Sequence, residues 1–211
     1  MPEDWEKYWK KKTLLTRAVD FMREHYFLNI PIIYLGNYEG KTILEAGCGT
    51  SESLVRIAKK AKHVTAFDIS PKALQLSKQN FEKHRIQKSK YSLALGNIQK
   101  MKFKDNTFDI VFNTGVVEHF DDDKINNKPV EEMVRVAKKG GKVVILVPMI
   151  YTPYYIYYLI SRIPGLHGIF PWEPHRFYTL RMMRKQLKPM GLKFKIKLDL
   201  LSIYLVAEIR K

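Results

Sequence analysis

One turn, Gly47-Cys48-Gly49, constrains this chain more than any other feature. It lies between a short apolar run, residues 42–46, and an amphipathic run that begins at Ser51. Glycine on either side of a single residue lets the backbone turn tightly and approach a ligand closely. A strand before it and a helix after it make this the first βα connection of an open parallel sheet. In such sheets ligands bind beyond the carboxyl ends of the strands. A second apolar run, 63–67, ends at Asp68, which is 21 residues after Gly47. An acid at that point can accept both hydroxyls of an adenosine ribose.

The rest of the chain keeps the same alternation. Residues 91–95, 108–112 and 143–147 read as further strands, the last uniformly apolar as a strand buried on both faces should be. Residues 51–60, 71–86, 130–137 and 179–190 read as helices, with Thr50 or Ser51 capping the first and Ser70-Pro71 opening the second. Lys138-Lys139-Gly140-Gly141-Lys142 reads as a loop leading into the strand at 143. Gly191 stops the helix at 179–190, and 193–198 and 202–209 alternate apolar and polar residues as final strands. A helix over 5–28, ended by Pro31, precedes everything else. Strand and helix in alternation predict an α/β, doubly wound parallel sheet with helices on both faces. At 211 residues the chain is one domain, 1–211. It divides into a helical N-terminal cover (1–30), a ligand-binding core (40–150) and an insertion (149–178).

Charge narrows the partners. Lys and Arg number 37 against 21 Asp and Glu, a net charge of +16 with a pI near 9.8. That balance suits an anionic partner, whether nucleic acid, acidic lipid or acidic substrate. The single cysteine, Cys48, excludes an internal disulfide and a cysteine-based zinc cluster, and places the chain in a reducing, cytoplasmic compartment. No metal site is expected. The charged start, MPEDWEKYWKKK, is not a signal peptide. Residues 143–160 carry no charge over 18 positions, but Pro148, Pro153 and five tyrosines argue against a spanning helix.

Two cofactors fit the glycine loop, a dinucleotide and S-adenosylmethionine. A pyrophosphate needs an uncharged helix start, and the dinucleotide fingerprint keeps a third glycine where Glu52 stands. Glu45 and Glu52 would both repel a diphosphate. S-adenosylmethionine carries a sulfonium and an ammonium, so acids beside the loop favour it.

The run Ile43-Leu44-Glu45-Ala46-Gly47-Cys48-Gly49-Thr50-Ser51 resembles the first signature of class I S-adenosylmethionine-dependent methyltransferases. Val64-Thr65-Ala66-Phe67-Asp68-Ile69-Ser70 is similar to the family's acidic second-strand segment, and Leu95-Gly96-Asn97-Ile98 with Phe108-Asp109-Ile110-Val111 to its adenine-edge and fourth-strand segments. Val116-Val117-Glu118-His119-Phe120 resembles the Glu-His element, and Glu132-Met133-Val134-Arg135-Val136 with Gly140-Gly141 the arginine-bearing helix and diglycine turn. The likeness covers about residues 40–150 and is nearest the branch typified by ubiquinone and menaquinone methyltransferases. It implies a Rossmann-like, mostly parallel seven-stranded sheet whose last strand is antiparallel. It also implies a cofactor site in which Glu45, Gly47 and Gly49 line the methionine end, with Thr50 and Ser51 also binding the cofactor. Asp68 would hold the ribose, Ile69 would pack on the adenine, Asn97 and Ile98 would meet its edge, and Asn113 would face the methionine moiety. Ser51 stands where the family often has glycine, and Asn97 where it often has aspartate.

Methyl transfer is an in-line displacement at a cationic methyl group, so alignment supplies most of the rate. A base is needed only when the acceptor must lose a proton. Glu118, His119, His167 and His175 are the titratable candidates. His119 is the base expected here; the alternative is that Glu118 caps backbone amides while His119 walls the pocket. Tyr154 and Tyr158, within the tyrosine-rich run after the fifth strand, and His175 before the helix at 179 are the expected substrate contacts. The same tyrosines equally suit a helix packed on the core or on a second subunit, so monomer and homodimer both stand. Trp5, Tyr8 and Trp9 would close the other side of the cofactor or pack on the core. The leading function is a methyltransferase for a small or lipid-like acceptor, with peripheral contact to an anionic membrane through the acid-free stretches 83–104 and 178–198. The alternatives are an RNA methyltransferase using the basic surface, and a binding protein that keeps the fold without turnover.

Overall fold

A computed structural model describes residues 29–120, 127–150, 152, 155–156, 159–160, 163, 176–199 and 203–211. The helix expected over 5–28 and most of the insertion at 149–178 lie outside these residues. The elements, in order, are α1 (Asn29–Leu35), β1 (Thr42–Ala46), α2 (Glu52–Ala58), β2 (His63–Asp68), α3 (Pro71–Lys83), β3 (Tyr91–Leu95), β4 (Phe108–Thr114), α4 (Lys128–Val136), β5 (Ala137–Pro148), α5 (Leu180–Leu187), β6 (Lys193–Leu198) and β7 (Tyr204–Arg210).

The strands form one seven-stranded sheet in the order β3-β2-β1-β4-β5-β7-β6. β1 pairs parallel with β2 and β4, and only β7 runs antiparallel, against β5 and β6. The Rossmann-like topology expected of the sequence is therefore present. The chain winds outward in both directions from β1 and β4, so the topological switch lies between those two strands. That point is where a ligand crevice opens in a doubly wound sheet.

Each face of the sheet buries its own core. Successive strand residues point to opposite faces, so Val111 joins Met133, Met183 and Leu187 below α4 and α5, while Ile110 and Phe112 join Ile30, Leu54, Ile57 and Phe81 below α1, α2 and α3. β5 repeats the alternation, with Val143, Ile145 and Val147 on one side and Val144 and Leu146 on the other. Fully burying side chains of this size contributes about 1.5–3 kcal/mol each.

Three local expectations are corrected. Pro31 does not end a helix at its own position; it lies inside α1, which runs on to Leu35. Ser51 occupies the N-cap position of α2, but in the left-handed region and with no capping bond from its side chain. The run 138–142 is not a loop: β5 begins at Ala137 directly after α4, and the pairing with β4 shifts between Phe108 and Ile110. The diglycine thus lies inside β5, in an irregular bulged stretch where residues 138–141 stand against Asp109 alone. A Cβ at Gly141 would stand 2.7 Å from the Lys138 carbonyl oxygen, so only glycine fits the bulge. By contrast, Ser70 caps α3 as expected, accepting from the Ala73 N–H at 3.2 Å with Pro71 in the first turn.

β6 is an edge strand, and this explains the basic run near the end of the chain. Lys193, Lys195 and Lys197 are exposed, whereas the alternating Phe194 and Ile196 pack on the core. Lysines along an edge discourage pairing with another sheet.

Candidate active site

The carboxyl ends of β1, β2 and β4 meet around the glycine loop. Gly47 has φ 82°, and a Cβ there would run into the Val116 side chain, so the loop passes close beneath the segment after β4. Amides of the loop are spent inside the protein. Gly47 and Cys48 N–H both donate to the Phe67 carbonyl (2.7 and 3.0 Å), Gly49 N–H donates to Asp68 Oδ2 (2.9 Å), and Ser51 N–H donates to the Cys48 carbonyl (2.8 Å). A pyrophosphate cradle presents such amides to its ligand. This loop spends four of its amides internally, which with the acidic Glu45 and Glu52 makes it a poor cradle for a diphosphate.

α3 supports the loop from below. Ser51 is fully buried, its hydroxyl donates to Ser77 Oγ at 2.8 Å, and Ser77 donates to the Gly49 carbonyl at 2.8 Å. Asn80 Nδ2 donates to the Thr50 carbonyl at 2.9 Å. Ser77 and Asn80 went unnoticed in the sequence. The available signal was two polar residues, three apart, on the helix face that also carries Leu74 and Phe81.

Two acids face this loop. Glu45, at the end of β1, is 6% exposed, and its Oε2 has no hydrogen-bond partner among the described residues. Burial, then the charges of Asp68 and Glu52, push its pKa well above the ordinary carboxylate range. Asp68, at the end of β2, accepts from Gly49 N–H and from Ser70 N–H, each at 2.9 Å. Burial raises its pKa, opposed by those amides and that of Ile69. A buried carboxylate lacking a donor is a binding group for a cation. A second carboxylate, one strand over, holds one amide on each oxygen and keeps further acceptor capacity. This donor set fits S-adenosylmethionine: Glu45 would hold the ammonium and Asp68 the ribose hydroxyls.

Residues 44–145 match the protein family described as a methyltransferase domain. Over these residues the chain is similar to methyltransferase domains. It is 26% identical over 163 residues to a demethylmenaquinone methyltransferase of Halalkalibacterium halodurans, covering 73% of this chain and 64% of that protein. It is 33% identical over 110 residues to norajmaline N-methyltransferase of Rauvolfia serpentina, covering 50% of this chain and 35% of that enzyme. The chain thus spans less than two thirds of the length of either relative. Two solved structures share the fold. One is an S-adenosylmethionine-dependent methyltransferase from Aquifex aeolicus (TM-score 0.69, 17% identity, 94% of this chain and 99% of that one). The other is magnesium protoporphyrin IX methyltransferase from Synechocystis with bound SAH (TM-score 0.73, 14% identity, 98% of this chain and 92% of that one).

The structure places the other expected site residues as follows. Ile69 is 40% exposed at the end of β2, an apolar surface beside Asp68. Ile98 is buried in the core cluster with Phe67 and Met101. Asn97 is half-buried and uses its side-chain oxygen to accept from Gln99 N–H at 2.8 Å, leaving that oxygen one further lone pair. Asn113 is fully buried and pins two backbones: Nδ2 donates to the Ala46 carbonyl, and Oδ1 accepts from Val117 N–H at 3.3 Å. It ties the end of β1 to the Glu-His element. Glu118 is buried and His119 half-buried in a 3-10 turn, Val117–Phe120, directly after Val116. Tyr154, Tyr158, His167 and His175 lie outside the described residues.

Arg135, on α4, has a role the sequence did not disclose. It forms a bidentate pair with Glu132 (2.7 and 2.9 Å), and donates to Asp105 and to the Phe103 and Met101 carbonyls. Glu132 in turn accepts from Met101 N–H at 2.6 Å. The pair fastens the 101–105 loop, which follows the Asn97 segment, to α4. The Glu132 pair, first, and Asp105 raise the Arg135 pKa, so the clamp stays charged.

Proposed function

We propose that this domain transfers the methyl group of S-adenosylmethionine to a small, apolar or lipid-like acceptor. The observation that carries the reading is Glu45, a buried carboxylate with an unpartnered oxygen beside a glycine loop that spends the amides of Gly47, Cys48, Gly49 and Ser51 internally. That arrangement suits a cationic, phosphate-free adenosyl ligand. The cofactor supplies an electrophilic methyl group. The protein's part is to fix it: Glu45 and Asp68 at its two ends, Ile69 against the adenine, and Asn113 holding β1 and the Val117 turn in register.

Acceptor chemistry rests on the segment after β5. Ile156, Leu159, Ile160 and Ile163 are 60, 49, 47 and 51% exposed, a set of apolar side chains that recurs at spacings of 3, 4 and 7 in the sequence. This apolar stripe follows the carboxyl end of β5, on the cofactor side of the sheet. Exposed apolar patches of this kind mark ligand or membrane contacts. The acceptors named by the relatives, a quinone, an alkaloid and a porphyrin, support a small molecule. We assign peripheral membrane contact to this stripe rather than to the basic face, and His119 as base where the acceptor loses a proton. Among the described residues no helix is long and apolar enough to cross a membrane. We place the activity in the cytoplasm on the strength of Cys48, a buried free thiol with no second cysteine in the chain.

The test is incubation with methyl-labelled S-adenosylmethionine and, separately, lipid, metabolite and RNA extracts. Label in the lipid or metabolite fraction is expected. Label confined to RNA, or none in any fraction, overturns the reading. His119→Ala should lower turnover by about 10²–10⁴ for an acceptor that must be deprotonated, with cofactor affinity unchanged.

A further inference from the structure

The end of the central strands opposite the cofactor carries a cavity of about 410 Å³, within the usual range for ligand pockets. It lies among the end of α1, the first residues of β1, the β4–β5 bulge and the end of β7. Five cations, Lys41, Lys138, Lys139, Lys142 and Arg210, line it together with a single carboxylate, Asp109. The pairing of strands brings them together. Arg210 is opposite Lys142 in the β5–β7 register, Lys142 is beside Ile110 of β4, and Ile110 is beside Ile43 of β1. Residues far apart in the chain thus share one end of these strands.

Two of the five cations are neutralised. Lys138 Nζ is 2.9 Å from Asp109 Oδ1, and Lys142 Nζ is 2.8 Å from Glu208 Oε2 while also donating to the Tyr34 carbonyl. Lys41, Lys139 and Arg210 are exposed and have no ion-pair partner among the described residues. Like charges gathered around one concavity repel one another, and the arrangement costs stability unless an anion sits between them. The wall is open at the bulge: a Cβ at Gly140 would meet nothing within 4 Å. Gly140 N–H is spent on the Lys211 carbonyl at 2.8 Å, so the lysine and arginine side chains are the donors left for a ligand.

The geometry points to a second ligand site in this cavity, for a small anion bearing two or more phosphates. The charge fits a polyvalent anion better than a carboxylate, because three free cations remain after Asp109 and Glu208 have been paired. The cavity is separated from the cofactor loop by the length of β1, about 13 Å at 3.3 Å per residue from Thr42 to Ala46. Its ligand therefore does not touch the transferred methyl. The inference is independent of the methyl-transfer reading and stands or falls without it.

Calorimetry with inorganic pyrophosphate at low ionic strength tests it, with ADP as the nucleotide-borne source of the same group. Pyrophosphate should bind at one site, raise the thermal transition and weaken steeply with added salt. The triple variant Lys41→Ala, Lys139→Ala, Arg210→Ala should weaken binding at least ten-fold. A control removing three exposed cations elsewhere, Lys78→Ala, Lys83→Ala, Lys185→Ala, should stay within two-fold of the parent. S-adenosylmethionine affinity should be unchanged in both. Tighter binding of ADP than of pyrophosphate would identify a nucleotide as the source; equal binding would identify the polyphosphate alone. Absence of saturable pyrophosphate binding, equal loss in the control, or binding only of an RNA oligonucleotide with affinity growing with its length would each overturn the site.

Discussion

The Gly49 amide donates to Asp68 Oδ2 at 2.9 Å, tying the turn after β1 to the end of β2. The residue proposed to hold the ribose therefore also holds the loop that surrounds the methionine end. Asp68→Ala removes both functions at once. Charged hydrogen bonds contribute about 1.5–3 kcal/mol each, so cofactor affinity should fall at least ten-fold by calorimetry. The thermal transition should fall as well, because Gly49 and Ser70 lose their acceptor. Unchanged affinity in a folded variant would place the ribose elsewhere.

Glu45 gives a prediction of opposite sign for stability and for binding. Its folded pKa lies well above its ordinary 4.5 because burial, Asp68 and Glu52 all disfavour the ionised form. The folded protein thus keeps a proton that the unfolded chain releases. Glu45's contribution to the stability of the cofactor-free protein is fullest below about pH 4.5 and is lost as pH rises through its folded pKa. Glu45→Gln should remove that decline, raising the thermal transition at pH 8 while weakening S-adenosylmethionine at least ten-fold. Binding of the cofactor's ammonium to the parent should expel the proton. Titrations in buffers of different ionisation enthalpy should show proton release that Glu45→Gln abolishes.

At the opposite end of the central strands the sign reverses. Burial works against ionisation of Asp109, but the Thr42 hydroxyl and amide and the Lys138 ammonium outweigh it and hold the carboxyl at about 2, below its ordinary 3.8. Its stabilisation is complete above pH 3.8 and is lost as pH falls toward 2. Thr42 and Asp109 lie on neighbouring strands, so this cluster fastens the start of β1 to the start of β4. Asp109→Asn should lower neutral-pH stability by about 1–3 kcal/mol and flatten the acid limb of denaturant titrations over that window. A parent-like acid limb in the variant would assign the loss to other carboxylates.

Gln186 is 1% exposed on α5, and neither its oxygen nor its nitrogen has a hydrogen-bond partner among the described residues. An unsatisfied buried polar group costs about 1–3 kcal/mol, whereas an apolar side chain of like volume costs nothing comparable. Gln186→Met should therefore raise the urea midpoint without changing the slope. A lowered midpoint would show that the amide is satisfied in solution.

What the sequence disclosed and what it withheld divide along a physical line. The β1 turn, Asp68 and the Ser70-Pro71 cap are local: glycine freedom, strand-end position and N-cap chemistry act within a few residues. Ser77, Asn80 and Asn113 act on segments 26–67 residues distant, and nothing in their own neighbourhood says which carbonyl they will meet. The diglycine reads as a loop because pairing register is a property of two strands, not of one. The basic residues at 193–197 read as part of a face. They are the outward side of an edge strand, a position fixed only by the sheet order. Lys41, Lys139 and Arg210 lie far apart in the chain and share one surface only because the ends of β1, β5 and β7 meet there.

The last prediction concerns the acceptor. Ile156 and Ile160 are 60 and 47% exposed on the stripe that follows the carboxyl end of β5. The side chain of Tyr155, beside them, is half-buried and meets Phe177 edge-on with ring centroids 4.9 Å apart, so the segment is anchored to the residues leading into α5. An apolar face fixed in this way gains about 25 cal/mol per Å² when it is covered. Covering by a lipid-like acceptor, or by the bilayer that holds it, removes Ile156 and Ile160 from water together. The double variant Ile156→Ser, Ile160→Ser should leave cofactor affinity intact. It should raise KM for an apolar acceptor at least ten-fold and weaken binding to phospholipid vesicles at both low and high salt. If vesicle binding is untouched by the serines and vanishes on adding salt, contact runs through lysines instead. If KM also stays constant, the stripe covers neither acceptor nor membrane, and a small soluble acceptor becomes the better assignment.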